Sequence, residues 1–320
     1  MPPPHHPPKK PQIPLPLPDP IPHPTVTLRL KIRDLSHSGS ALFLDSVNAS
    51  FLLSEAVHTV LSLLYPQATP TSPDQTTKPT PPWPGTRSTS LILHDFSGVA
   101  YTTGSSLDND HKEIHLSLSY VADSISPSRL TPEIRGVIVH ETVHAWQWNA
   151  LGSAPGGLIE GIADWVRLKA GLAPPHWDRF NVDDGDKWDG GYQLTAWFLD
   201  YLGEEVYQGQ AMEFVPMLNG LLRDESYEEE EFWVKKSGLG KGVEELWDQY
   251  RSWLEKQKGP DDESSDKSEE DEPRAKSVGD DVAPGEGQSE VPQEQPRDLK
   301  VNENPDLELE NSWTKIHFKT

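Results

Sequence analysis

A chain of 320 residues with 31 prolines, a net charge of −23 and no cysteine is bounded by its composition before any motif is read. Without cysteine there are no disulfides, no thiolate metal sites and no cysteine nucleophile, so a transition-metal centre must be built from His, Asp and Glu. No cluster of Lys and Arg supports a nucleic-acid partner, and no apolar run suits a membrane span or a secretion signal, which leaves the cell compartment open.

Residues 1–24 (MPPPHHPPKKPQIPLPLPDPIPHP) are dominated by proline. Proline fixes φ and withholds backbone donors, so this segment is expected to be a disordered, extended arm outside any core. The folded domain is expected over residues 25–257. It opens with "TVTLRLKI", which alternates side chains at the two-residue period of a half-buried strand. "FLLSEAVHTVLSLLY", residues 51–65, then places Leu52, Leu53, Val57, Val60, Leu61 and Leu64 at helical spacing.

Residues 66–90 are rich in Pro, Thr and Ser and read as a loop inserted within one domain. Strand-like pieces follow at 90–96 (SLILHDF), 98–103 (GVAYTT) and 113–121 (EIHLSLSYV). The first two are so close that a hairpin turn at Ser97 and Gly98 is predicted. After residue 130 the periodicity is helical to Lys256, broken by the loop "GLAPPHWDRFNVDDGDKWDGG". Strands first and helices afterwards predict an α+β fold, a small β-sheet packed on a mainly helical lobe. A monomer is expected.

"TPEIRGVIVHETVHAWQWN" predicts a helix from about 132 to 149, with Thr131 as N-cap and Pro132 at the first helical position. Four residues advance about 400° around a helix, so His140 and His144 stand one turn apart on nearly one face and can converge on one zinc ion. Glu141 lies about 100° round the axis, beside the metal rather than under it. That position suits a general base acting on metal-bound water. The competing reading is a helix with two core histidines and a buried ion pair.

After the turn "GSAPGG", the segment "LIEGIADWVRLKAG" predicts a second helix with Glu160 and Asp164 one turn apart. Glu160 can complete a His, His, Glu ligand set, and Asp164 can accept the free N–H of a ligand histidine. Asp164 could instead pair with Arg167 or serve as third ligand itself. Gly156 and Gly157 permit a tight helix entry, and Gly161 a close approach of two backbones.

"HETVHAWQWN", "PGGLIEGIADWVRL" and "WDGGYQLTAWFLDYL" together resemble the basic secretory protein family of plants, fungi and bacteria, a group classed as zinc peptidases, over about residues 25–257. At a greater distance "EGIA" is similar to the glutamate segment of gluzincins. The resemblance implies His140, His144 and Glu160 as zinc ligands, Glu141 as base, Asp164 as their hydrogen-bonded support, and a peptide or protein substrate. Only 15 residues separate His144 from Glu160, so the connection must be compact.

Tyr192, at the start of a predicted helix, is a candidate donor to the oxyanion of peptide hydrolysis. The alternative is a core tyrosine that caps that helix. His176 is a second candidate donor, while His94, His111 and His115 carry no ligand spacing and suit core or surface roles. Six of the eleven tryptophans fall between Trp146 and Trp197; most suit the core, and Trp177 or Trp188 could line a substrate cleft. "DESYEEEEF" at 224–232 reads as a solvated helix face, and "GVEELWDQYRSWLEKQ" as an amphipathic helix closing the domain.

From Lys258 to Glu310 there are 18 acidic against 6 basic residues, about half of the chain's net −23. A segment so charged and so poor in aromatics cannot bury enough apolar surface to offset its conformational entropy, so residues 258–320 are expected to be a disordered tail. Two rival functions stand beside the peptidase: a catalytically inactive relative that binds a partner or glycan, as in defence, and an interaction protein working through "PQIPLPLPDPIP" and the acidic tail.

Overall fold

In a computed structural model, residues 26–66, 82–106, 108–207 and 209–258 are described. The expected Pro-rich arm, most of the Pro/Thr-rich loop and the acidic tail lie outside them.

Four strands form one sheet: β1 (Thr27–Ile32), β2 (Ser88–His94), β3 (Ala100–Ser105) and β4 (Asp108–Ser117), in the order β1-β2-β4-β3. Strands β1, β2 and β4 run parallel, and β3 runs antiparallel to β4 at the edge. The second and third strands do not form the predicted hairpin. Strand β2 pairs with β1 and β4, and the hairpin partner of β3 is β4. Proximity in sequence misled because the chain passes through Gly98 (φ +119) without pairing the strands it joins.

One face of the sheet carries Leu91, Leu93, Ala100, Ile114 and Leu116 into the core. Against it pack α2 (Ala49–Leu64) and α3 (Leu130–Trp146). Helix α2 is capped by Asn48, whose side chain accepts from the Phe51 N–H, and buries Leu52, Leu53, Val57, Val60, Leu61 and Leu64. A short helix α1 (Ser38–Ser46), not anticipated from periodicity, precedes it.

Helix α3 begins at Leu130, one turn of 3₁₀ helix preceding it, so Thr131 is inside the helix and not its N-cap. The Thr131 hydroxyl bonds to the Ser46 carbonyl instead. This helix is flanked by α2, α4 (Gly156–Lys169) and β3. Enclosure on so many sides accounts for buried residues around most of its circumference, from Ile134 to Trp146, and a weak apolar stripe.

The connection from α3 to α4 is compact, as the short spacing required. Ala150 and Leu151 adopt left-handed φ values of 54° and 57°, and Gly152 follows at 87°. The Asn149 side chain accepts from Gly152 N–H, and the Ala150 N–H reaches the Leu222 carbonyl. Helices α5 (Tyr192–Tyr201), α6 (Ala211–Leu221) and α7 (Val243–Gln257) complete the lobe. Phe198 of α5 packs edge-on against Trp247 of α7 and beside Tyr250. The architecture is α+β, a four-stranded sheet on a helical lobe. Among the described residues no single helix is long and apolar enough to cross a membrane.

Candidate metal centre

Helix α3 carries His140, Glu141 and His144, and α4 carries Glu160 and Asp164. Because the two helices pack against each other, these side chains meet. Nε2 of His140 lies 3.2 Å from Nε2 of His144 and 3.1 Å from Oε2 of Glu160, and the third edge, His144 Nε2 to Glu160 Oε2, is 3.6 Å. Atoms bound at about 2.0–2.2 Å around a tetrahedral ion stand about 3.3 Å apart. Two imidazoles and a carboxylate at these separations therefore fit one zinc ion. Among the described residues this is the group of three His or acidic side chains that converges in this way.

Asp164 is placed on the other nitrogen of His140, Oδ1 to Nδ1 at 2.6 Å. It does not pair with Arg167, which binds Glu133 at 2.7 Å. Both His140 and Asp164 are buried. Burial works against a charge on His140, but Asp164 and then Glu160 outweigh it and raise its pKa to about 10. Glu160 is held well below the usual carboxylate range: burial opposes its charge, and His144 and His140 more than compensate.

Glu141 is 1% exposed. Desolvation raises its carboxyl above the usual range against the pull of His144, His140 and Thr102. Its Oε2 lies 2.7 Å from the hydroxyl of Thr102, which is also 2.9 Å from the Glu141 carbonyl oxygen. Thr102 sits on edge strand β3, and no local sequence pattern links it to residue 141.

Tyr192 opens α5 with its ring nearly parallel to that of His140, at 15° and 6.3 Å between centroids. Burial first, then Glu160, Asp164 and Glu141, raise the pKa of its phenol. Its backbone is left-handed, φ 47°, directly after Gly191 at 85°. Such a conformation is uncommon for a bulky residue and costs on the order of 1–3 kcal/mol. The turn is pinned by Thr195, whose hydroxyl accepts from Gly191 N–H and donates to the Trp188 carbonyl.

Two glycines bring α4 close to this turn. A Cβ on Gly157 would stand 1.7 Å from the Asp189 carbonyl oxygen, and one on Gly161 would stand 2.3 Å from Thr195 Cγ2. Gly161 thus admits α5, whereas a Cβ at Gly156 would meet nothing within 4 Å.

The remaining candidates lie apart. His176 is exposed in the loop after α4. Trp188, a possible cleft residue by sequence, is 3% exposed and packs edge-on against Trp233 in the core. Trp177 lies under the Arg167 guanidinium. On the sheet, His94 and His115 bond to each other at 3.0 Å, and His111 meets Ser88.

Gln147, the C-cap of α3, carries no sequence pattern that marks it. It is buried, with its amide nitrogen 3.2 Å from His144 Nδ1 and 3.3 Å from the Ile159 carbonyl oxygen.

A family model described as "Peptidase of plants and bacteria" (BSP) matches residues 25–250. No curated protein matches the chain, and neither does any solved structure.

Proposed function

Since the chain belongs to the basic secretory protein family, the peptidases of plants and bacteria, we propose that it hydrolyses peptide bonds at a zinc centre held by His140, His144 and Glu160. The carrying observation is the convergence of those three donor atoms at 3.1, 3.2 and 3.6 Å from one another. When bound, zinc supplies Lewis-acid polarisation of a carbonyl and makes water acidic near neutral pH.

Glu141 is the general base. Its carboxyl, made more basic by burial, takes a proton from the attacking water and returns it to the leaving amine. The Thr102 hydroxyl holds that carboxylate at 2.7 Å. Asp164 accepts the Nδ1–H of His140, so that once the ring gives up its other proton the Nε2 lone pair is the one turned toward Glu160 and His144. Tyr192 keeps its proton at neutral pH and is the donor to the substrate carbonyl as negative charge develops there. The backbone strain at Tyr192 supports such a role, because a left-handed tyrosine persists only where its surroundings require it. The substrate is a peptide or protein, and the domain spans residues 25–257.

Elemental analysis of chain purified without added metal, with His140→Ala and Glu141→Gln beside it, tests this reading. One zinc per chain is expected, lost in His140→Ala. In Glu141→Gln the zinc stays and peptide hydrolysis disappears. Stoichiometric zinc in a chain without turnover on any peptide would favour the inactive relative instead.

A further inference from the structure

His140 and His144 face the same point through Nε2, yet the residues behind them differ in kind. Behind His140 stands a carboxylate, which can only accept. Behind His144 stands the amide of Gln147, which has one end that donates and one that accepts. As arranged, the nitrogen end faces His144 Nδ1 at 3.2 Å and also reaches the Ile159 carbonyl at 3.3 Å. The oxygen end, Oε1, is buried with no hydrogen-bond partner among the described residues. A buried acceptor left without a partner is costly and calls for an explanation.

The chemistry of ligation supplies one. A neutral imidazole carries one proton, and a ring that offers Nε2 to a metal carries it on Nδ1. The Nδ1–H of His144 then needs an acceptor, which an amide nitrogen cannot be. Turning the Gln147 amide by 180° exchanges two groups of nearly equal size and brings Oε1 to Nδ1–H, giving the orphaned oxygen a partner. The turn forfeits the long bond to Ile159, sets Oε1 beside that carbonyl and moves the unpartnered end of the amide to its nitrogen, so it is favoured only when a metal on Nε2 fixes the proton on Nδ1. We propose that Gln147 is the positioning residue for His144, and that its carbonyl oxygen holds the Nδ1–H tautomer when metal binds. The assignment rests on the zinc reading above and concerns the outer support of one ligand.

Two variants test it by zinc affinity, measured in competition with a chromophoric chelator. Gln147→Met keeps the length and removes the acceptor, and its zinc affinity should fall about tenfold to a hundredfold, as when other outer-shell partners are lost. Gln147→Glu can accept and cannot donate, so it should bind zinc as tightly as the unmodified chain or more so. Weakened binding in Gln147→Glu would mean that the amide serves as a donor and would overturn the proposal, as would unchanged affinity in Gln147→Met. The ¹⁵N shifts of His144 in the zinc-loaded chain give a further readout, with a protonated Nδ1 expected. Failure of the unmodified chain to bind zinc would strike the metal centre itself, a result distinct from a failure confined to residue 147.

Discussion

The hydroxyl of Thr102 on β3 lies 2.7 Å from the Glu141 carboxylate on α3, so a residue of the edge strand holds the carboxylate that the proposed mechanism uses as base. A hydrogen bond to a charged group contributes about 1.5–3 kcal/mol, which corresponds to roughly tenfold to a hundredfold in rate if it acts on the transition state. Thr102→Val should therefore lower kcat by that factor with little change in KM, while Thr102→Ser retains most activity. Equal kcat in the valine variant would reduce Thr102 to a packing residue.

Tyr192→Phe separates the phenol from the ring. The ring contact with His140 survives the change, so zinc content and thermal stability should stay close to those of the unmodified chain. The loss of one donor to a developing oxyanion costs about a hundredfold to a thousandfold in kcat where that donor is fully engaged. Steady-state hydrolysis of a peptide substrate, with zinc measured on the same sample, checks both halves. A phenylalanine variant with full turnover would leave Tyr192 as a helix-opening core residue.

The metal-free chain should compete zinc against protons. His140 has its pKa raised from 6.5 to about 10, so protonated His140 contributes stability that is complete below pH 6.5 and is lost as pH rises through about 10. Zinc requires the neutral ring, and each ion bound between about pH 6 and 8 should displace about one proton. Apparent affinity then rises about tenfold per pH unit in that window, while Glu160, held well below its usual range, stays ionised throughout. Chelator competition at several pH values measures the slope. A flat profile would show that His140 is already neutral before the metal arrives.

Legibility in the sequence followed the distance over which each relationship acts. His140, Glu141 and His144 were readable because one helix sets their spacing, and Glu160 and Asp164 because a second helix follows within a short connection. The α+β class was readable from strand periods giving way to helical ones. Thr102 was not, since it reaches Glu141 across 39 positions, through a strand pairing that no local pattern specifies. The same limit produced the wrong hairpin: β2 and β3 are neighbours in sequence, but β4 lies between them in the sheet. Trp188 looked like a loop aromatic, and only the fold places it against Trp233.

Two adjacent glycines at the head of α4 should respond in opposite ways to one methyl group. At Gly157 a Cβ would come within 1.7 Å of the Asp189 carbonyl oxygen, and main chain cannot turn aside as a side chain can. Either α4 or the turn before Tyr192 must move, at a cost of about 1–3 kcal/mol for overpacking. Glu160 lies three residues further along the same helix, so the shift reaches the proposed metal donors as well. Gly157→Ala should lower the melting temperature and weaken zinc binding together. At Gly156 the added methyl would meet nothing within 4 Å, and alanine is the better helix former by up to about 1 kcal/mol. Gly156→Ala should match or exceed the unmodified chain in stability and bind zinc equally well. If the two variants behaved alike, the tight approach of α4 to the Asp189 backbone would not be what positions Glu160.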